Sequence, residues 1–260
     1  FPYTTLFRSH RNFITTQFYS VSKKPYRNEY IGGMQDNGTW QSQINMEATL
    51  DRDFYVRIGG DGLETVWHQQ DSSMLMGSVQ FGPVLRSIDN GENWDYADEG
   101  LGTLPFTVKL TPVPSNNDRI FTTCAEGVYK TGNFGRTAWR ETEMPAGWLA
   151  EGFTNASYHQ VKVSPANEEI VWAGAAMIES FGWRMFVSTD QGDSYTAVNE
   201  PADPVEAFIT GFVAHPTEEN TAYALYSVYG EPKILRTEDL GESWADITQV
   251  NESGVSENGF

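Results

Sequence analysis

The chain has 260 residues, with 17 basic and 35 acidic side chains and a formal net charge of −18. Such a surface repels phosphate backbones and anionic lipids, which argues against nucleic-acid binding. No run approaches the roughly 18 apolar residues of a membrane-spanning helix, so we expect no membrane insertion. Aromatic residues make up 13% of the chain and there are 24 glycines, a composition that favours strands and turns.

The first nine residues stand apart from the rest. Residues 1–9, Phe-Pro-Tyr-Thr-Thr-Leu-Phe-Arg-Ser, resemble the in-frame translation of a common sequencing-library adapter. We therefore expect this segment to be non-native, and the chain to be cut at both ends.

Residues 10–260 are predicted to form one β-propeller fragment of repeated units. Short apolar runs alternate with polar turns, as in Phe212–Ala214, Ala222–Tyr226 and Lys233–Arg236 of the last unit, and this pattern predicts strands. Four such strands make one propeller blade, and a spacing of about 45–55 residues between units is typical of blades. The fold class predicted is all-β: an incomplete β-propeller of about five blades, at 13–62, 63–102, 103–143, 157–202 and 205–249.

A turn motif recurs before the fourth predicted strand. The pattern [ST]-x-D-x-G-x-[NS]-[WY] occurs without gaps at 87–94, 188–195 and 237–244, and a degenerate copy with Asn for Asp lies at 131–139. The Asp can accept hydrogen bonds from its own turn, the Gly permits positive φ, and the aromatic residue packs on the blade. We predict a structural role for Ser87, Asp89, Gly91, Trp94, Ser188, Asp190, Gly192, Tyr195, Thr237, Asp239, Gly241 and Trp244.

These copies resemble the Asp-box, or BNR, repeat of sortilin-type, sialidase-like and xyloglucanase-like propellers. The first unit contains the segments 30–40, with Gly-Gly-Met-Gln-Asp-Asn-Gly-Thr-Trp, and 58–62, Ile-Gly-Gly-Asp-Gly. This succession is similar to secreted BNR-repeat proteins of Bacteroidetes-type bacteria. The resemblance implies an extracellular or cell-surface location.

Two aspartates fall on the face where propellers usually bind ligands. Asp36 lies in a loop from second to third strand, and Asp61 lies in a connection between blades. The alternative is that Asn37-Gly38 and Asp61-Gly62 are simply tight turns. If the chain is an enzyme, Asp36, Asp61 and Glu151 are the candidate catalytic carboxylates.

Aromatic side chains in predicted loops suggest a ligand-binding platform. Flat rings beside carboxylates suit sugar rings or peptide side chains, although such rings also fill the gaps between blades. The candidate binding residues are Trp67, His68, Trp148, Phe153, Phe181 and Trp183.

Known catalytic sets are not evident in the sequence. The arginines are scattered without the Arg-Ile-Pro segment of sialidases, and the four histidines are dispersed without a metal-binding spacing. We expect no metal site and no cofactor. The leading hypothesis is a secreted or cell-surface bacterial propeller that binds a polysaccharide or protein ligand or acts as a scaffold. The alternative is a xyloglucanase-like glycoside hydrolase that uses carboxylates on the loop face.

Overall fold

The computed structural model describes residues 16–149, 159–174, 184–202, 209–226 and 233–248. Within these ranges, all regular secondary structure is β-strand, arranged as five antiparallel four-stranded sheets. This confirms the predicted all-β class and the four-stranded unit. In the described ranges no helix is long and apolar enough to cross a membrane.

Each sheet uses four strands that are consecutive in the sequence, so the chain runs up and down through one sheet before it starts the next. The first sheet contains β1 (Phe18–Lys23), β2 (Tyr30–Met34), β3 (Gly38–Ser42) and β4 (Phe54–Ile58). The second contains β5 (Gly62–Trp67), β6 (Leu75–Val79), β7 (Val84–Ser87) and β8 (Asp95–Tyr96). The third contains β9 (Thr111–Pro112), β10 (Ile120–Thr123), β11 (Val128–Thr131) and β12 (Arg140–Glu141). The fourth contains β13 (Gln160–Val163), β14 (Val171–Gly174), β15 (Met185–Ser188) and β16 (Thr196–Ala197). The fifth contains β17 (Ile209–Ala214), β18 (Ala222–Tyr226), β19 (Lys233–Thr237) and β20 (Ala245–Asp246).

The fourth sheet has two buried middle strands, whereas its fourth strand is short and exposed. All four residues of β14 and all four of β15 are buried, while both residues of β16 are exposed. β-Branched and aromatic residues suit a pleated surface that is packed on both sides. This burial pattern indicates that the central strands are packed between neighbouring sheets.

The chain divides into two compact units, which are described separately. The first unit holds the sheets β1–β4 and β5–β8, with residues 107–110. Its sheets meet through Ile31, Trp67 and Leu75. The Ser20 hydroxyl reinforces this contact, because it donates to the Leu63 carbonyl at 2.8 Å and accepts the Thr65 N–H at 2.9 Å.

A buried ion pair also belongs to the first unit. Lys24 Nζ lies 3.2 Å from Glu29 Oε2, and both side chains are buried. Lys24 also donates to Asn90 Oδ1, and Glu29 Oε2 accepts the Asn45 N–H. The Lys24 ammonium lies 5.4 Å from the centre of the Trp67 ring. Such pairing is what makes two buried charges tolerable.

The second unit holds the remaining three sheets, which are packed through aromatic side chains. The Trp172 ring lies 6.3 Å from Phe212 and 6.4 Å from Trp244, with edge-to-face geometry in both pairs. Phe121 and Phe186 belong to a second cluster in this unit. Cys124 is buried, and burial raises the pKa of its thiol to about 12. The thiol is therefore a protonated core group.

Candidate functional site

Three loops of the first unit are tied together by a short chain of hydrogen bonds. The Asp36 N–H donates to Asp61 Oδ1 at 2.7 Å. The Asp61 N–H in turn donates to Gln80 Oε1, also at 2.7 Å. The β2–β3 loop (35–37), the β4–β5 connection (59–61) and the β6–β7 loop (80–83) thus form one surface, which we call the loop cluster.

The backbone of the loop cluster depends on glycines. Gly38 has a φ of +79°, and a Cβ there would lie 2.4 Å from the Ile58 carbonyl oxygen. Gly60 has a φ of +85°, and Asp36 itself adopts a φ of 57°. Left-handed conformations are easy for Gly and tolerated by Asp. The segment Asp36-Asn37-Gly38 therefore forms a tight turn, as the alternative interpretation of Asn37-Gly38 predicts.

The carboxylates of the loop cluster keep unused acceptor capacity. Asp36 is exposed and Asp61 is half-buried. In the described part of the chain, neither carboxylate forms an ion pair with Lys or Arg, and Asp61 Oδ2 has no hydrogen-bond donor. A carboxylate held in place by one oxygen still presents the other to a ligand.

Phe81 adds an apolar group to the loop cluster. Its side chain is 66% exposed although it is aromatic, and its φ of 58° projects it from a tight turn that follows Gln80. Sequence reasoning did not select this residue. The available signal was an aromatic residue directly before the Gly82-Pro83 turn, where solvent exposure is expected.

Three of the predicted binding residues lie in the core. Trp67 is the last residue of β5, and its indole N–H donates to the Ser72 carbonyl at 2.8 Å. His68 is buried, and its Nδ1 accepts the N–H groups of Gln70 and Asp71. Trp148 is buried against His159, with ring centres 4.2 Å apart, and donates to the Cys124 carbonyl at 2.9 Å. Burial leaves these side chains no open face for a ligand, so the structure places them in the core and not on a binding surface.

The other predicted site residues cannot be placed. Glu151, Phe153, Phe181 and Trp183 lie outside the described residues.

A carboxylate in the second unit is fixed by a loop on its own sheet. Glu126 lies in the β10–β11 loop and accepts the Thr103 N–H at 2.8 Å and the Thr103 hydroxyl at 2.7 Å. Partial burial opposes the charge, but these hydrogen bonds outweigh it, and the pKa of Glu126 is lowered. The Glu126 carboxylate therefore remains ionised, and both of its oxygens already accept hydrogen bonds from Thr103.

The turns at 87–94, 188–195 and 237–244, called here the aspartate turns, lie at the other end of their sheets. They join the third and fourth strands of a sheet, whereas the loop cluster includes joins between second and third strands. In an up-and-down sheet these two kinds of loop fall at opposite ends. Within each of these sheets, the aspartate turn therefore lies at the end opposite to the loop that joins the second and third strands.

Each aspartate turn satisfies its own carboxylate. Asp190 Oδ1 accepts the Ser194 N–H at 2.9 Å, and its Oδ2 accepts the Ser194 hydroxyl at 2.6 Å. Burial opposes the charge, but hydrogen bonds from Ser194, Ser188 and the Asp193 N–H together outweigh it and lower the pKa of Asp190 to about 2. Hydrogen bonds from Asn93 likewise lower the pKa of Asp89, and those from Ser243 lower the pKa of Asp239.

Within the described residues, no group of three or more His, Cys, Asp or Glu side chains is arranged to hold a metal ion.

Solved structures with a similar fold include GH74 enzymes and YCF48. An ancestral GH74 enzyme matches at a TM-score of 0.61 and 13% identity, over 89% of this chain and 33% of its own. The GH74 xyloglucanase from Xanthomonas campestris matches at 0.50 and 13% identity, over 89% and 47% of the two chains. YCF48 bound to D1 peptide matches at 0.54 and 11% identity, over 92% and 83%.

These likenesses show a β-propeller fold and nothing finer. The chain spans only about a third of the length of the ancestral GH74 enzyme. No protein-family model matches the chain, and no curated protein sequence matches it.

Proposed function

We propose that this chain is a ligand-binding propeller module of a secreted or cell-surface bacterial protein, and that its aspartate turns are Asp-box (BNR) repeats. The observation that carries the proposal is the loop cluster. Asp36, Asp61 and Gln80 are linked by hydrogen bonds beside an exposed aromatic side chain, Phe81. Carboxylate oxygens next to an exposed ring provide both hydrogen-bond acceptors and an apolar contact.

The ligand class follows from this chemistry. Acceptor oxygens bind sugar hydroxyls or the N–H groups and cationic side chains of a peptide, and the ring stacks on a pyranose face or an apolar side chain. Solved propellers of the same fold include a GH74 xyloglucanase and YCF48 bound to D1 peptide. We propose a polysaccharide or a protein segment as the ligand.

The test is a binding screen of the 260-residue chain against glycan and peptide arrays, followed by titration of any hit. Phe81→Ala and Asp61→Asn should each weaken binding by about five- to thirtyfold, since each removes a contact worth about 1–2 kcal/mol. Asp95→Asn is the matched control, because Asp95 is an exposed aspartate of β8 in the same unit. An Asp95→Asn variant that loses as much affinity as Asp61→Asn would contradict the proposed surface.

A glycoside hydrolase is the second candidate, favoured by the likeness to GH74 enzymes. Glycosidases place two carboxyl groups across a cleft, about 5–9.5 Å apart, with the sugar between them. Here the Asp61 carboxylate instead accepts the backbone N–H of Asp36 at 2.7 Å. That arrangement supports a binding surface more than a catalytic pair.

Hydrolysis is tested by reducing-sugar release from xyloglucan. If the chain is a hydrolase of this kind, Asp36→Asn and Asp61→Asn abolish release without lowering the unfolding temperature, and Asp95→Asn has no effect. We expect no release above the rate of a heat-denatured sample.

A further inference from the structure

The register of the sheets reveals a repeated pattern in each second strand. A large side chain is followed by a small residue in all five sheets: Ile31-Gly32, Met76-Gly77, Phe121-Thr122, Trp172-Ala173 and Tyr223-Ala224. These pairs occupy equivalent places in the strand pairing. Because successive residues of a strand point to opposite faces, each sheet offers a large residue on one face and a small residue on the other.

Within the second unit, the large residue of one sheet packs on the small-residue face of the next sheet in sequence. Trp172 of the fourth sheet clusters with Phe212 and Ala224 of the fifth. Phe121 of the third sheet clusters with Val161 and Ala173 of the fourth. We call the face with the large residue the forward face, and the face with the small residue the backward face.

The backward face of the first sheet is exposed. Gly32 pairs with Val21 on one side and Trp40 on the other, as Ala173 pairs with Val161 and Phe186. Val161 and Phe186 are buried, whereas Val21 is 58% exposed. A largely apolar cavity of about 320 Å³ lies on this face, lined by Phe18, Val21, Tyr30, Ile31, Gly32, Met34, Trp40 and Phe54.

The forward face of the fifth sheet is exposed as well. Tyr223 stands in the register position of Trp172 and pairs with Val213 and Arg236. Val213 is 51% exposed, and Leu225 and Ile234 of the same face are also exposed. One chain thus carries both kinds of face that sheets in the second unit use to pack on each other.

Charged side chains accompany both faces. The backward face of the first sheet carries Lys23, which is exposed. On the fifth sheet, Arg236 of the forward face is paired with Glu218 and Glu238. A lysine on one face and carboxylates beside the other allow an ion pair across the contact.

From this register we infer that two copies of the chain associate head to tail. The forward face of the fifth sheet in one copy docks on the backward face of the first sheet in the next. Such contact joins two different surfaces, so it is heterologous and can continue from copy to copy.

The decisive experiment uses two exposed substitutions, one on each face. Sedimentation velocity of the 260-residue chain at rising concentration should show species larger than a dimer. Val21→Lys and Val213→Lys should each weaken association by at least about tenfold, since each buries an unpaired charge in an apolar contact. Ile88→Lys is the control of equal charge change, because Ile88 is an exposed residue of an aspartate turn.

Mixing the two variants separates head-to-tail contact from other kinds of association. Val21→Lys retains an intact forward face and Val213→Lys retains an intact backward face. Their equimolar mixture should form a 1:1 dimer and nothing larger, whereas each variant alone stays monomeric. Circular dichroism confirms that each variant is folded.

Four outcomes would overturn the inference. If the wild-type chain stays monomeric at every concentration, a second copy of the chain does not cover these two exposed faces. Dimerisation of either variant alone would indicate a symmetric contact between like faces, and a mixture that stays monomeric would exclude the head-to-tail contact. Equal weakening by Ile88→Lys would indicate a general effect of charge.

Discussion

The aspartate turn at 188–195 and the loop cluster of the first unit both place an aspartate against backbone N–H groups, but they use the carboxylate differently. Asp190 accepts hydrogen bonds on both oxygens from within its own turn. Asp61 uses one oxygen to hold a separate loop through the Asp36 N–H. In the first arrangement both carboxylate oxygens of Asp190 stabilise the turn. In the second, Asp61 Oδ2 has no hydrogen-bond donor among the described residues.

The comparison implies that the loop cluster depends on its backbone more than on its side chains. Gly38→Ala should lower the free energy of unfolding by about 2–4 kcal/mol. The new Cβ would lie only 2.4 Å from the Ile58 carbonyl oxygen, and alanine is strained at the left-handed φ of +79°. Gly59→Ala in the neighbouring connection is the matched control, because a Cβ there meets nothing within 4 Å. Urea unfolding of both variants measures the difference, and an equal loss in both would refute the argument.

In the aspartate turns, the side chain should carry the stability. Asp190→Ala should cost about 1–2 kcal/mol, comparable with the loss of a helix cap. Asp190→Asn should cost clearly less, because the degenerate turn shows that Asn fits. Asn133 Oδ1 accepts the Arg136 N–H at 3.0 Å, and its amide donates to the Thr137 hydroxyl at 2.8 Å. Thermal unfolding of the two variants tests this order, and an equal loss of stability in both would contradict it.

Acid should weaken the aspartate turns. The pKa of Asp190 is about 2 in the folded chain and about 3.9 when unfolded. The unfolded chain therefore binds more protons between these values, so stability from this group is present above about pH 4 and is lost as pH falls toward about 2. Urea unfolding between about pH 2 and 5 should show a shallower pH dependence for Asp190→Asn than for wild type. An unchanged slope would exclude the ionised carboxylate as the cause.

The smallest effect on stability is expected at the loop cluster carboxylate. Asp61→Asn should change the free energy of unfolding by less than about 0.5 kcal/mol, because the Asn Oδ1 can still accept the Asp36 N–H. Urea unfolding beside Asp190→Ala measures the contrast. If Asp61→Asn is as destabilising as Asp190→Ala, the two regions do not differ in the way described.

The architecture was predictable because the turn motif recurs at the same place in several units, which aligns the strands of one unit with those of another. The expected strand Ala222–Tyr226 coincides with β18, and the predicted run Lys233–Arg236 falls one residue short of β19. The chain order of strands and turns was also enough to bring Asp36 and Asp61 to one end of a sheet. Both are consequences of local pattern and topology.

The aromatic side chains were harder to predict. Trp67 and His68 were predicted to belong to an aromatic binding platform, but Trp67 ends β5 and its buried ring lies beside the Lys24 ammonium. Burial of this kind depends on partners far away in the sequence, which a local pattern does not report. Phe81 was missed for the opposite reason, since its exposure follows from the geometry of a turn.

The hydrogen bond between Asp61 and the Asp36 N–H has a thermodynamic consequence for recognition. A loop held through its backbone loses little conformational entropy when a ligand arrives, because it has been ordered in advance. If that bond is removed, for example by Asp61→Ala, the entropic cost of ordering residues 35–37 would arise when the ligand binds and not when the chain folds. For the proposed ligand-binding role, a loop cluster ordered in advance would owe its affinity to contacts more than to the cost of ordering the loop around the ligand.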